Sequence, residues 1–200
     1  YVGSEGATPK VNKLGTSEWE KTKAKVRKTV KDIADKLIKI YAQREHLPGY
    51  AFSKDTISQH AFENAFPYVE TDDQLRATAE IKKDMEAPHP MDRLLIGDVG
   101  YGKTEVAMRA AFKAVQDGKQ VAYLAPTTIL SKQHYESFVA RFREFDVKIG
   151  LLNRYVPIKE QQELLTNIKN GKIDIVVGTH RILSNDVCFK DLGLLIIDEE

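Results

Sequence analysis

Gly97-Asp98-Val99-Gly100-Tyr101-Gly102-Lys103-Thr104 decides how this chain is read. The octet fits G-x-x-x-x-G-K-[ST] at every fixed position, and each residue type has a physical task on a nucleoside triphosphate. The glycines let successive backbone N–H groups curl around phosphate oxygens. Lys103 brings a point charge to the β- and γ-phosphates, and the Thr104 hydroxyl suits Mg²⁺. An apolar run, Leu94-Leu95-Ile96, precedes the loop, and a helix-forming stretch from Glu105 to Gln116 comes after it. Strand, loop and helix thus come in the required order, and the helix N-terminus adds the positive end of its dipole. The loop, with Glu105 beside it, is read as a nucleoside triphosphate site with Lys103 catalytic.

A second piece of chemistry ends the chain. Leu194-Leu195-Ile196-Ile197 is a continuous apolar run, the pattern of a strand covered on both faces, and it leads into Asp198-Glu199-Glu200. A carboxylate at the C-terminal end of such a strand is placed to hold the same Mg²⁺ as Thr104. Asp198 is assigned to the metal, Glu199 to the attacking water, and Glu200 to neither.

Working outward, strands and helices alternate. Strand 93–97 leads to helix 103–116, strand 120–125 to helix 129–144, strand 147–152 to helix 158–170, and strand 173–178 to a brief turn. The last strand is 194–198. This alternation predicts right-handed βαβ crossovers and a parallel sheet with flanking helices. Upstream, helices are expected over Thr56–Phe66 and from Thr71 to about Met85. Residues 1–16 read as a linker and 48–92 as a helical lead-in. Between them, Val26, Val30, Ile33, Leu37 and Ile40 recur at helical steps, opposite a face of lysines from Lys21 to Lys39. The predicted helix, 17–47, opens on a capping box, Ser17 to Glu20. It is either a packed helix with a solvated basic face or an element that docks on DNA or a partner.

Net charge is +1, so global charge does not announce a nucleic-acid binder. Its distribution is uneven: residues 1–50 hold 11 Lys/Arg against 6 Asp/Glu. One cysteine, Cys188, allows no internal disulfide, and beside Phe189 it reads as a small buried residue. No apolar stretch approaches a membrane span and the lone cysteine fits a reducing cytosol, so a cytoplasmic setting without membrane contact is expected.

Gln74, three residues after Thr71, either caps its helix or hydrogen-bonds an adenine edge; Phe66 either offers the base a flat surface or belongs to the core. Pro126-Thr127-Thr128, Arg154 and Gly178-Thr179-His180-Arg181 come after three successive strands at the sheet edge where ligands bind in parallel α/β folds. Small hydroxyls, backbone N–H groups and cations on one rim suit a phosphodiester backbone held without reading bases.

Together, Thr71-x-x-Gln74, Gly97–Thr104, Ala125-Pro126-Thr127-Thr128, Gly178-Thr179-His180 and Asp198-Glu199 resemble the first RecA-like motor lobe of superfamily 2 helicases. Met91–Phe112 and Lys190–Glu200 are more closely similar to the bacterial transcription-repair coupling factor family. So are Lys13-Leu14-Gly15, Trp19 and Ile40–Arg44, which look like that family's long connecting helix. The resemblance implies an ATP-driven translocase on double-stranded DNA that displaces stalled RNA polymerase. Contacts with polymerase and repair proteins would lie in parts of the parent outside these residues. RecG-type branch-migration helicases have a similar motor but would not account for the 14–43 helix; a non-motor ATP switch is a further alternative. The resemblance also implies a strand after Glu199 that sits between the phosphate-loop strand and the 194–198 strand. Without it the lobe is expected to have an open slot, to bind nucleotide weakly and to turn over negligibly.

Overall fold

In the computed structural model, residues 17–199 are described; the expected linker 1–16 and Glu200 lie outside them. The chain forms two compact units, residues 1–47 and 48–200. Within its described residues the first is one helix, α1 (Ser17–His46). Ser17, expected as the cap, is the first helical residue, and Glu20 pairs instead with Lys23 at 2.6 Å. The apolar stripe Val26, Val30, Ile33, Leu37 and Ile40 is 46–58% exposed, so within the described residues of this unit its periodicity marks an uncovered face.

The second unit runs α2 (Ile57–Asn64), α3 (Asp72–Met85), α4 (Lys103–Gln116), β1 (Gln120–Leu124), α5 (Thr128–Arg141), β2 (Ile149–Leu152), α6 (Ile158–Lys169), β3 (Ile175–Gly178), a 3₁₀ turn (His180–Leu183) and β4 (Leu192–Ile197). The strands form one parallel sheet in the order β2-β3-β1-β4. Every residue of β1 is buried, as a central parallel strand requires. Alternation splits it: Val121 and Tyr123 join the core of α2 to α5, while Ala122 and Leu124 face Leu152, Ile168 and Val176. Gln120 latches the start of this strand. Its amide donates to the carbonyls of Ile168 (3.0 Å) and Ile173 (2.8 Å) and accepts from the N–H groups of Lys190 (2.7 Å) and Asp191 (3.1 Å).

Helix α4 is the pillar of the unit, with Val106, Met108, Ala110, Ala111, Phe112 and Ala114 buried. Phe112 stacks on Phe62 of α2 at 4.4 Å and meets Phe145 edge-on at 5.0 Å, which locks the lead-in helices onto the sheet domain. Lys113, buried on the same helix, bonds the Ser53 carbonyl (2.7 Å), Asp55 (2.9 Å) and Glu86 (2.8 Å). Burial opposes ionisation of Asp55, but hydrogen bonds from Lys82 and Lys113 outweigh it and hold its carboxyl below the usual carboxylate range.

Three expectations are corrected. Residues 93–97 form no strand: Leu95 packs on the core, but Leu94 (81%) and Ile96 (84%) are exposed. A strand exists as a ladder, and no described strand lies beside this segment to complete one. For the same reason β4 is a margin strand covered on one face only, with Leu195 (45%) and Ile197 (48%) exposed. Cys188 is exposed, not buried.

Phe112→Ala should destabilise the protein by about 3–5 kcal/mol in urea denaturation, the usual loss for emptying a buried aromatic site; a change below about 1 kcal/mol would contradict the pillar. A carboxyl held low in the fold stabilises it above its ordinary value, and that contribution is lost as pH falls. The thermal midpoint should therefore drop on acidification below about pH 4, and less steeply in Asp55→Asn.

Candidate functional site

The geometry of the site begins with register. Leu124 lies opposite Gly178 and Ile197, and Gly178 opposite Leu152. One transverse line, Leu152–Gly178–Leu124–Ile197, therefore closes all four strands, and the segment after each strand emerges on the same rim. Asp198 continues the ladder by donating its N–H to the Leu124 carbonyl at 2.9 Å.

The phosphate loop reaches this rim from the side of α4. Gly102 caps α4 with φ +76, a left-handed conformation that costs a residue bearing Cβ about 1–2 kcal/mol. A Cβ there would also meet Gln74 Nε2 at 2.3 Å. Gln74 serves as a cap and more. It completes the capping box with Thr71, and its Nε2 donates to the Tyr101 carbonyl at 2.9 Å. The lead-in helix α3 is thereby strapped to the loop. Val99 and Tyr101 project outward, 93% and 65% exposed. Lys103 folds across the loop, its Nζ donating to the carbonyls of Gly97 (2.6 Å) and Asp98 (2.9 Å).

At the other end of the loop, Thr104 and Asp198 come together through a residue that sequence reasoning passed over. The Tyr123 hydroxyl lies near both side chains; burial first, then the Asp198 charge, drive its pKa far above the ordinary phenol value, so it stays protonated. A hydroxyl and a carboxylate near one another are hard oxygen donors, the set that Mg²⁺ prefers, so these residues fit the ion. His134 of α5, also missed, stacks obliquely on Tyr123 at 4.9 Å, and its Nε2 lies 2.7 Å from Asp198 Oδ2. That contact is off the line of the ring N–H, so Nε2 is buried without an aligned hydrogen bond. The signal for His134 was in the spacing Ser131, His134, Phe138, one inward stripe of α5. Glu199 takes φ +53, the left-handed region unusual for a side-chain-bearing residue.

Glu105 turns from the loop into the core, where Arg141 (2.8 Å) and Arg109 (3.0 Å) pair with it. Phe66 lies near the same two guanidinium groups, at 5.4 Å from Arg109 and 5.8 Å from Arg141, and lines a cleft of about 860 Å³ with Thr104, Glu105, His134 and Arg141. Gln74 lines the phosphate loop rather than this cleft.

On the rest of the rim, Pro126 comes just after β1, and the Thr127 hydroxyl caps α5 by accepting from the Leu130 N–H at 3.2 Å. The Thr128 carbonyl accepts from Ser131 Oγ (2.9 Å), which accepts from the buried Asn153 amide (3.1 Å) at the end of β2. Arg154 is exposed and lies over the Tyr155 ring at 5.1 Å. Gly178 is glycine for close approach: a Cβ would stand 2.1 Å from the Leu152 carbonyl oxygen. Thr179 caps the 3₁₀ turn and His180 is exposed, while Arg181 is forked onto Asp186 at 2.6 and 2.7 Å.

The DEAD/DEAH box helicase family matches residues 71–200, and the chain belongs to that family. Its sheet and loop are those of a RecA-like P-loop NTPase lobe. Over all 200 residues it is similar to transcription-repair-coupling factors, 64% identical to that of Bacillus subtilis (strain 168) and 58% to that of Staphylococcus aureus (strain USA300). It spans 17% of the length of those relatives. Among solved structures, RecG bound to a three-way DNA junction matches 81% of this chain and 22% of its own, with TM-score 0.77 and 40% identity. A hypothetical ATP-dependent RNA helicase from Sulfolobus tokodaii shares the fold over 72% of this chain and 41% of its own, with TM-score 0.54 and 20% identity.

Gln74→Ala should remove both the α3 cap and the strap to Tyr101. Capping losses are about 1 kcal/mol, and ADP affinity should fall as well; unaltered ADP binding by calorimetry would show that the strap does not shape the loop.

Proposed function

We propose that this chain is the ATP-binding first motor lobe of a DNA-dependent ATPase that translocates on duplex DNA in transcription-coupled repair. The carrying observation is the register line, which gathers Asp198 and the rim segments after β1, β2 and β3 at one edge of one sheet, beside the head of α4 that carries Thr104. In this reading the loop amides and Lys103 bind the phosphates, and Glu199 orients the attacking water. Thr104 and Asp198 would hold Mg²⁺, whose charge offsets that on the β- and γ-phosphates. Pro126, Thr127, Thr128, Arg154, Gly178, Thr179, His180 and Arg181 form the track for the DNA backbone. Such contacts fix position without reading sequence. Arg181 would have to exchange its carboxylate partner Asp186 for a phosphate.

The likeness to coupling factors supports the repair setting; displacement of stalled RNA polymerase, through surfaces elsewhere in the full-length protein, is the further part of this proposal. Among the described residues no helix is long and apolar enough to cross a membrane, and a bacterial cytoplasmic setting accords with this reading. A branched-DNA helicase is the second reading, favoured by the likeness to RecG.

In the full-length protein, linear duplex DNA should accelerate ATP hydrolysis, and Lys103→Ala should abolish hydrolysis while leaving the thermal midpoint intact. Hydrolysis indifferent to DNA would favour a nucleotide switch. Acceleration by three-way junctions alone would favour the branched-DNA reading.

A further inference from the structure

We propose that His134 is a positioning residue for the Asp198 carboxylate, through which helix α5 couples the Thr127–Thr128 rim to the metal-holding end of the site. The inference rests on the assignment of Asp198 and the rim given above and adds the physical link between them.

Three observations carry it. First, His134 lies directly against Asp198. The ring is held between Tyr123 and the carboxylate, its side chain is 14% exposed, and its buried Nε2 approaches Asp198 Oδ2 to 2.7 Å. Second, this contact is close in distance but lacks an aligned hydrogen bond. Nε2 lacks an aligned partner, so a small rotation of the ring or a small shift of α5 makes or breaks a good hydrogen bond. An aligned bond fixes which way the carboxylate points, and partners of that kind orient metal-holding groups.

Third, the same helix is fastened at its other end to the rim. Thr127 caps it, Ser131 bonds the Thr128 carbonyl, and Asn153 ties Ser131 to the end of β2 while accepting from the Tyr155 N–H at 3.0 Å. Thr128 and His134 are six residues apart on a continuous helix, about 9 Å along its axis. A phosphate that engages the rim therefore loads the first turn of a rigid rod whose second turn ends on Asp198. Two neighbouring residues of α5 do not share this geometry. Gln133 is exposed, and Tyr135 packs against the core of α2 to α5.

The test is carried out on the full-length protein, by titrating MgCl₂ into ADP with fluorescently labelled ADP as the readout, with and without duplex DNA. His134→Ala should raise the Mg²⁺ concentration for half-maximal ADP binding about 10-fold or more, the usual loss for removing an orienting partner. Affinity for ADP in EDTA should stay within about two-fold of wild type, because His134 orients only the metal-side carboxylate. His134→Gln, whose amide N–H reaches a similar position, should restore most of the Mg²⁺ dependence. Duplex DNA should shift the Mg²⁺ midpoint of the wild type and not that of His134→Ala.

An unchanged midpoint in His134→Ala would overturn the inference. So would an equal loss of affinity with and without Mg²⁺, or a failure of glutamine to rescue; both would mean that the histidine merely packs. A DNA shift that persists in His134→Ala would overturn the coupling. If the wild type bound ADP without any Mg²⁺ dependence, the assignment of Asp198 itself would fall. A wild-type dependence that His134→Ala leaves untouched refutes only the role of the histidine.

Discussion

The parallel pairing of β1 with both β3 and β4 is the constraint on which the rest depends. Backbone hydrogen bonds set Leu124 level with Gly178 on one side and with Ile197 on the other. Because parallel strands point the same way, their C-terminal ends fall on one edge, where parallel α/β sheets bind ligands. The chemistry of the site is thereby placed by groups that do no chemistry. Gly178 contributes by having no side chain, since any Cβ would strike the Leu152 carbonyl. Gln120 contributes by fastening the opposite end of β1 to α6 and to the entry of β4.

Around that frame, α4 transmits position from the core to the loop. Its buried face is nearly continuous, and even its charged residues are internal: Glu105 is pinched between Arg109 and Arg141, and Lys113 is held by three oxygen partners. Such buried charges are stable only when paired, and pairing fixes the rotation of the helix about its axis. Gly102 at its head is thus presented at a defined place, with Gln74 bracing the loop from α3. The lead-in segment belongs to the same packed unit as the sheet, joined by the Phe62–Phe112 stack.

Much of this was legible in the chain because it is encoded locally. Helix 103–116 matched its expected limits, since a glycine with no alternative at 102 opens it and Gly118 lies just past its end. Strands β1 to β3 and the helices between them were legible from apolar runs and glycine punctuation, with boundaries off by at most three residues. Pairing is not local. Leu94-Leu95-Ile96 has the composition of a strand, yet without a neighbour it forms none, and Leu195 and Ile197 look like core residues on a face that stays open. Tyr123 and His134 were missed for a related reason. Each reads as an ordinary residue of a buried strand or an amphipathic helix, and only the pairing of β1 with β4 brings Tyr123, and the approach of α5 brings His134, to Asp198. Gln74 had two readings in sequence. The structure uses its amide for the cap and for the loop together, because the start of α3 abuts Tyr101.

The most direct test of one shared edge is to bind Mn²⁺ with ADP in place of Mg²⁺ and map paramagnetic broadening of backbone amide signals. Broadening should centre on Gly102–Glu105 and Asp198–Glu199, weaken toward Thr127 and Thr128, and spare α6. Strong broadening that leaves Asp198 untouched, or that centres away from the line Leu152–Gly178–Leu124–Ile197, would contradict it.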